Sequence, residues 1–230
     1  MLSLKHRSPQ KELLDQDTIP FEDIRQNMIE LNTVNTLLGG HTITLDGVRS
    51  FLNKNEKALH IAEIGSGGGD NLFVIGQFLK KKNIAFKLTG IDIKKECTDY
   101  ASNQFPSIDF ICSDYKDVLF EKKPDIIFNS LFCHHFTNDE LIGVLQWMKK
   151  NSVRGFFIND LERNFLAYYS IKILTAIFSK SYLVKHDAPL SVARSFRRSD
   201  WEKILEEAGI TNCEIKWKWA FRYLIRVKNN

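Results

Sequence analysis

The chain has 230 residues, 43% of them hydrophobic, enough to bury a substantial core, and a single domain is expected. Its 32 Lys and Arg face 28 Asp and Glu, a net charge of only +4 with the signs interspersed, which argues against a nucleic-acid partner. No apolar leader or bilayer-length run occurs, and Cys97, Cys112, Cys133 and Cys213 show no paired spacing, so a cytoplasmic chain with reduced thiols and no stable membrane anchor is expected.

Met1 to Asp17 is polar and reads as a loose arm. Pro20 then opens a helix, where its missing N–H costs nothing. Phe21, Ile24, Met28, Leu31, Val34 and Leu38 recur at helical steps on one face, and Gly39-Gly40 ends the helix. A short second helix is expected over Thr44 to Leu52. From Ala58 an apolar run, Leu59, Ile61 and Ile64, reads as a buried parallel strand closing on Glu63-Ile64-Gly65-Ser66-Gly67-Gly68-Gly69-Asp70. The glycines permit a tight turn that brings backbone N–H groups to a ligand. The dinucleotide fingerprint wants a small residue where Asp70 stands, and Glu63 would repel a pyrophosphate but suits a ligand with ammonium or sulfonium charge. S-adenosyl-L-methionine is such a ligand.

The predicted elements continue as a helix from Asp70 to about Lys82, a strand over Phe86 to Ile91, a helix over Lys94 to Phe105, a strand over Ile108 to Cys112 and a strand centred on Ile126 to Phe128. Alternating strands and helices predict an α/β, doubly wound, mostly parallel sheet with its site at the carboxyl ends of the strands. After the fourth strand comes Asn129-Ser130-Leu131-Phe132-Cys133-His134-His135-Phe136, and after the fifth, Val153 to Ile158, comes Asn159-Asp160-Leu161-Glu162-Arg163-Asn164. Neighbouring side chains diverge, so one of His134 and His135 is the candidate proton acceptor, with His186 next. Cys133, His134 and His135 are contiguous, poor spacing for closing one coordination sphere, and no metal is expected.

Asn164 to Phe178 carries more apolar surface than one core-facing helix needs, and three readings stay open: a helix buried on two sides, a homodimer interface, or a wall of a lipophilic substrate pocket. Tyr168 and Tyr169 are the pocket candidates there. Arg194, Arg197 and Arg198 read as solvated. Ser199-Asp200-Trp201-Glu202 reads as a capping box opening the last helix, followed by a hairpin of Cys213 to Trp219 and Phe221 to Val227.

Residues 58 to 130 resemble the core of the class I S-adenosylmethionine-dependent methyltransferases: Glu63-Ile-Gly-Ser-Gly-Gly-Gly69, Leu88-Thr-Gly-Ile-Asp92, Cys112-Ser-Asp114-Tyr115 and Pro124-Asp-Ile-Ile-Phe-Asn129-Ser130 match that family's motifs in order. The resemblance implies a Rossmann-like, seven-stranded fold with N-terminal helices over the active-site mouth, where Asn32 and Asn35 would face substrate, and a helical insertion after strand five. Its layout would be 1–57 arm and cap helices, 58–160 cofactor core, 161–198 insertion and 199–230 last helix and hairpin. It also implies cofactor binding by Glu63, Gly65, Gly67, Gly69, Asp92, Ile93, Asp114, Tyr115 and Asn129, with Asp92 on the ribose and Asp114 on the adenine. Asn159-Asp-Leu-Glu-Arg163 with His186-Asp-Ala-Pro-Leu-Ser-Val-Ala-Arg194 looks like a bacterial small-molecule subgroup often encoded beside polyketide-synthase genes, implying a role in secondary metabolism and Arg163 and His186 near the acceptor. The expected reaction is O-methylation, ahead of C- or N-methylation, of a lipophilic aromatic or polyketide-derived hydroxyl. A non-catalytic cofactor-binding module and a nucleic-acid methyltransferase are the alternatives, the latter disfavoured because no Asn/Asp-Pro-Pro-aromatic run follows strand four.

Overall fold

The computed structural model describes residues 4–16 and 18–229; Met1 to Ser3 and Asp17, which belong to the predicted arm, lie outside them. The elements are α1 (Phe21–Leu37), α2 (Gly40–Arg49), β1 (Ala58–Ile64), α3 (Asp70–Lys81), β2 (Ala85–Asp92), α4 (Lys95–Gln104), β3 (Asp109–Cys112), β4 (Ile126–Ser130), α5 (Asn138–Asn151), β5 (Gly155–Leu161), α6 (Phe165–Phe178), α7 (Tyr182–Arg194), α8 (Arg198–Glu207), β6 (Cys213–Lys218) and β7 (Arg222–Lys228).

The strands form one seven-stranded sheet in the order β3-β2-β1-β4-β5-β7-β6. β1 to β5 run parallel, and β7 is antiparallel to both β5 and β6. The order reverses at β1, between β2 and β4, so the crevice for a ligand opens at the carboxyl ends of these strands. The sheet is apolar on both faces because helices cover both. Leu141, Val144 and Met148 of α5 and Trp201 and Ile204 of α8 pack on one face against Ile127, Phe156 and Ile225. Ile43 and Val48 of α2 and Leu72, Ile75 and Leu79 of α3 pack on the other against Ile61, Ile126 and Phe157, and Phe128 stacks on Phe157 at 4.9 Å between ring centroids.

Several expectations change. The described part of the arm is not loose: Arg7 donates to the carbonyls of Phe136 (2.7 Å) and Arg194 (2.7 Å), and the backbone N–H groups of Leu13 and Leu14 donate to the Asp187 carboxylate, both at 2.9 Å. The arm's polarity reflects hydrogen bonding to the body rather than solvation. α2 starts at Gly40, directly after the left-handed Gly39, and α8 starts one residue before the expected box, with Asp200 accepting from the Arg197 N–H at 2.7 Å. α7 escapes the pattern because Pro189 lies inside it. Arg194, read as solvated, is buried. Among the cysteines, Cys97 and Cys133 are buried while Cys112 is exposed.

Candidate active site

At the carboxyl edge of the sheet lies a cavity of about 810 Å³, bounded by the glycine turn, the carboxyl ends of β1, β2, β4 and β5, helices α1, α6 and α7, and the arm. Its floor is the turn from β1 to α3. The Gly65 and Ser66 N–H groups bond the Ile91 carbonyl at 2.8 and 3.1 Å, which ties the turn to β2. Gly65 has φ +68°, and a Cβ there would sit 2.2 Å from the Phe132 ring, so only glycine serves. At Gly67 (φ +48°) a Cβ would meet nothing within 4 Å: the backbone there faces open space, as close approach to a ligand requires.

Glu63 is fully buried. Its Oε1 accepts from Asn71 Nδ2 at 2.9 Å, while Oε2 has no partner. Burial pushes its carboxyl well up from the usual range; the Asn71 bond opposes this and the charges of Asp70 and Asp92 add to it. A buried acceptor left unpaired beside a cavity is a place for a cationic donor. Asp70 opens α3, with its carboxyl pushed up to about 6 by burial. Asp92 ends β2 and accepts from the N–H groups of Gly67 (2.8 Å) and Lys94 (2.9 Å), so it clamps the glycine turn as well as facing the cavity. Ile93, Asp114 and Tyr115 line the same end. This donor and acceptor set, an acid for an ammonium, an acid at the end of β2 for hydroxyls and open backbone at a helix N-terminus, fits S-adenosylmethionine.

At the other end stand the two histidines. The His134 Nδ1 lies 2.8 Å from Asp160 Oδ1, and because the carboxylate only accepts, Nδ1 carries the hydrogen of this bond. Burial works to raise the Asp160 carboxyl, but the His134 charge and hydrogen bond hold it below the usual range and so ionised. The His135 Nδ1 is paired with Asp15 at 3.0 Å. The Glu12 carboxylate from the arm approaches both rings, 3.6 Å from His134 Nε2 and 3.8 Å from His135 Nε2. These three donors lie within 4.8 Å of one another, a grouping the contiguity argument did not consider because Glu12 is remote in sequence.

α7 builds this end. Asp187 holds the arm, Ser191 Oγ donates to Glu12 at 2.8 Å, and the Arg194 guanidinium bonds the His134 and His135 carbonyls at 3.0 and 2.7 Å and the Gln10 carbonyl. The His-Asp-Ala-Pro-Leu-Ser-Val-Ala-Arg run therefore positions the histidines and the arm. Its His186 is largely exposed, paired with Asp187 and outside the cavity lining.

Of the sequence-predicted residues, Glu63, Gly65, Gly67, Asp92, Ile93, Asp114, Tyr115, His134 and His135 line the cavity, and so do Asn32 and Asn35. Others do not. Gly69 caps α3, where a Cβ would meet Phe110 at 2.6 Å. Asn129 turns inward, bonding Met148 and Cys133. Arg163 is held by Asp200 and by the Ser195 and Leu4 carbonyls. Tyr168 and Tyr169 meet edge to face and do not line the cavity, and α6 presents Ala167, Ser170, Ile171 and Leu174 instead. The sequence reading missed Glu12, Asp15 and Arg222, which carry no motif, and Asp160, whose signal was its place after β5.

Residues 61–153 match the methyltransferase domain family. Comparison with curated proteins finds no match. Among solved structures, the plantazolicin methyltransferase BpumL in complex with SAH superposes with a TM-score of 0.67 at 19% identity, covering 94% of this chain and 91% of that one. The same enzyme with a monoazolic desmethylPZN analog and SAH gives 0.67 at 21%, covering 91% and 90%. A SAM-dependent methyltransferase from Aquifex aeolicus gives 0.63 at 15%, covering 92% and 99%.

Proposed function

We propose, from the premise that residues 61–153 are a methyltransferase domain of the class I, S-adenosyl-L-methionine-dependent kind, that this enzyme methylates a lipophilic small molecule, with a hydroxyl as the accepting group. The observation that carries the reading is a single cavity whose walls are largely apolar, with the glycine turn at one end and an Asp-oriented histidine at the other. The bound cofactor supplies an electrophilic methyl group on a sulfonium.

The chain's own residues do the rest. Glu63 and the glycine turn hold the cationic ligand, and Asp92 and Asp114 hold its polar periphery. Leu31, Val34 and Leu38 of α1 and Ile171 and Leu174 of α6 exclude water and bind an apolar acceptor body. Burying one large side chain's worth of ligand surface contributes about 1.5–3 kcal/mol, so a few such contacts give micromolar affinity. His134 Nε2 takes the hydroxyl proton, with Asp160 fixing the tautomer and stabilising the imidazolium, and His135 stands beside it. For a phenol ionising near 10 and a free imidazole near 6.5, full prior transfer is uphill by about 5 kcal/mol, so removal of the proton accompanies methyl transfer.

The test is incubation with labelled S-adenosylmethionine and a panel of aromatic and polyketide-like phenols, comparing wild type with His134→Ala and His135→Ala. Label in an ether product, with turnover reduced at least about tenfold in His134→Ala at unchanged cofactor affinity, is expected. Label on nitrogen or carbon only, or full turnover in both variants, overturns the hydroxyl and base assignments respectively. One BpumL structure holds a monoazolic desmethylPZN analog, which makes azole-bearing compounds of that kind the second class to include in the panel.

A further inference from the structure

The cavity lining also contains a charge that methyl transfer does not need. Arg222 opens β7, which runs antiparallel beside β5 and so brings its first residue to the carboxyl edge of the parallel strands. The residue is only 2% exposed, yet it lines the cavity. Its guanidinium makes two hydrogen bonds, both to neutral amide oxygens: Nη2 to Asn35 Oδ1 at 2.8 Å and Nη1 to Asn159 Oδ1 at 3.4 Å. Its Nε has no partner, and among the described residues no carboxylate forms an ion pair with it. The acid whose charge reaches it, Asp160, is already bonded to His134. Burial lowers the Arg222 pKa to about 10, against the pull of Asp160, so the group stays charged at neutral pH.

An unpaired buried cation is costly, and proteins keep one where a ligand supplies the counter-charge. The surroundings are built around it: a Cβ on Gly40 would lie 2.6 Å from Asn35 Oδ1 and 3.2 Å from Arg222 Nη1, so glycine at that position makes room for the pair. Trp217, Trp219 and Phe221 at the neighbouring hairpin give the same part of the cavity an aromatic wall. A planar guanidinium fork matches a carboxylate, and one negative charge balances one cation, whereas a phosphate dianion would leave excess charge in an apolar pocket.

We infer that Arg222 anchors a carboxylate on the methyl acceptor, so that the natural substrate is a lipophilic, aromatic or polyketide-like hydroxy acid. The inference rests on the reading of this cavity as the acceptor site. It divides the work: Arg222 fixes one end of the acceptor and leaves the hydroxyl to the histidine end.

The experiment uses the full chain saturated with S-adenosylhomocysteine and two isosteric probes, 6-hydroxy-2-naphthoate and 6-hydroxy-2-naphthamide, titrated by calorimetry. Wild type is expected to bind the acid at least about tenfold more tightly than the amide, as a charge-assisted pair would give. Arg222→Met should erase that preference while retaining the amide. Asn35→Asp places a carboxylate beside the guanidinium in a side chain of the same shape, and should erase it too without removing the buried cation, so loss of folding in Arg222→Met does not decide the matter. S-adenosylhomocysteine affinity, measured first, should be unchanged in both. No preference in wild type, or a preference that survives both substitutions, overturns the inference. Failure of S-adenosylhomocysteine to bind wild type, which is read before either probe is added, would instead overturn the methyltransferase reading.

Discussion

Glu63→Gln is the perturbation that bears most directly on how a cationic cofactor is held. The substitution keeps the volume and the contact with Asn71, and removes only the charge at the unpaired oxygen. A hydrogen bond to a charged group contributes about 1.5–3 kcal/mol against about 1 for a neutral one, so the loss is about 1–2 kcal/mol, or about 5- to 30-fold in affinity. Protons should report the same event. Burial holds the Glu63 carboxyl well above its usual range, so the free protein keeps it protonated from the ordinary carboxylate range up to that raised pKa. An ammonium-bearing ligand favours the ionised form, so binding releases a proton within that window. Affinity therefore rises with pH by up to about tenfold per unit there and levels off above it. Titrations with S-adenosylhomocysteine in buffers of different ionisation enthalpy count the protons. Asp70 and Asp92 also have raised carboxyl pKa values and contribute to both proteins, so the quantity to read is the difference between wild type and Glu63→Gln. Equal proton release and affinity within about twofold in the two proteins would refute the assignment of Glu63 to the cofactor's charge.

Asp92→Ala should weaken cofactor binding by about 2–4 kcal/mol in calorimetry, and it should also lower the melting temperature of the free protein because the Gly67 and Lys94 N–H groups lose their acceptor. Ile171→Asp should abolish binding of an apolar acceptor, whereas Ile173→Asp, on the exposed side of α6, should leave it intact; dissociation of an oligomer by Ile173→Asp on size-exclusion chromatography would assign that side to subunit contact. Asp187→Ala removes two charge-assisted acceptors from the arm, so limited proteolysis should cleave the first sixteen residues much faster and turnover should fall with cofactor affinity retained. Exhaustive treatment with a chelator should leave turnover unchanged if His134 and His135 act as free imidazoles; a loss restored by one divalent metal would turn Glu12, His134 and His135 into ligands instead.

The placement at the cavity of the residues expected to hold the cofactor was legible because it is local. Glu63, the glycine turn, Asp92 and Asp114 each sit at the end of a strand whose apolar run announces it, and the parallel sheet fixes where those ends lie. The acceptor half is built from distant contributions. Glu12 and Asp15 come from a polar segment without periodicity, and their roles follow from Asp187, Ser191 and Arg194 far along the chain. On α6 the composition gave the right element but the wrong face, because an apolar helix with one side in a cavity and the other largely exposed has no stripe to read: Tyr168 and Tyr169 turn away, and Ile171 and Leu174 turn in. Asn129 and Arg163 were misplaced for a different reason. Both occupy loop positions expected to face a ligand, and both are consumed by packing, against Met148 and against Asp200.

The arm also sets the order in which the enzyme becomes complete. Leu13 lies 174 residues before its acceptor Asp187, so during synthesis the segment that supplies Glu12 leaves the ribosome well before its dock does. β1 to β4 with α3 and α4 contact one another and can assemble before it docks. Docking of residues 4–16 therefore waits for α7, and in the finished protein these contacts, made by a segment with no strand or long helix of its own, are expected to open before the sheet does. Hydrogen exchange in native protein should accordingly show the Leu13 and Leu14 amides opening independently of the β4 and β5 amides behind them. Such local openings would uncover Glu12 and the histidine pair while the glycine turn stays folded.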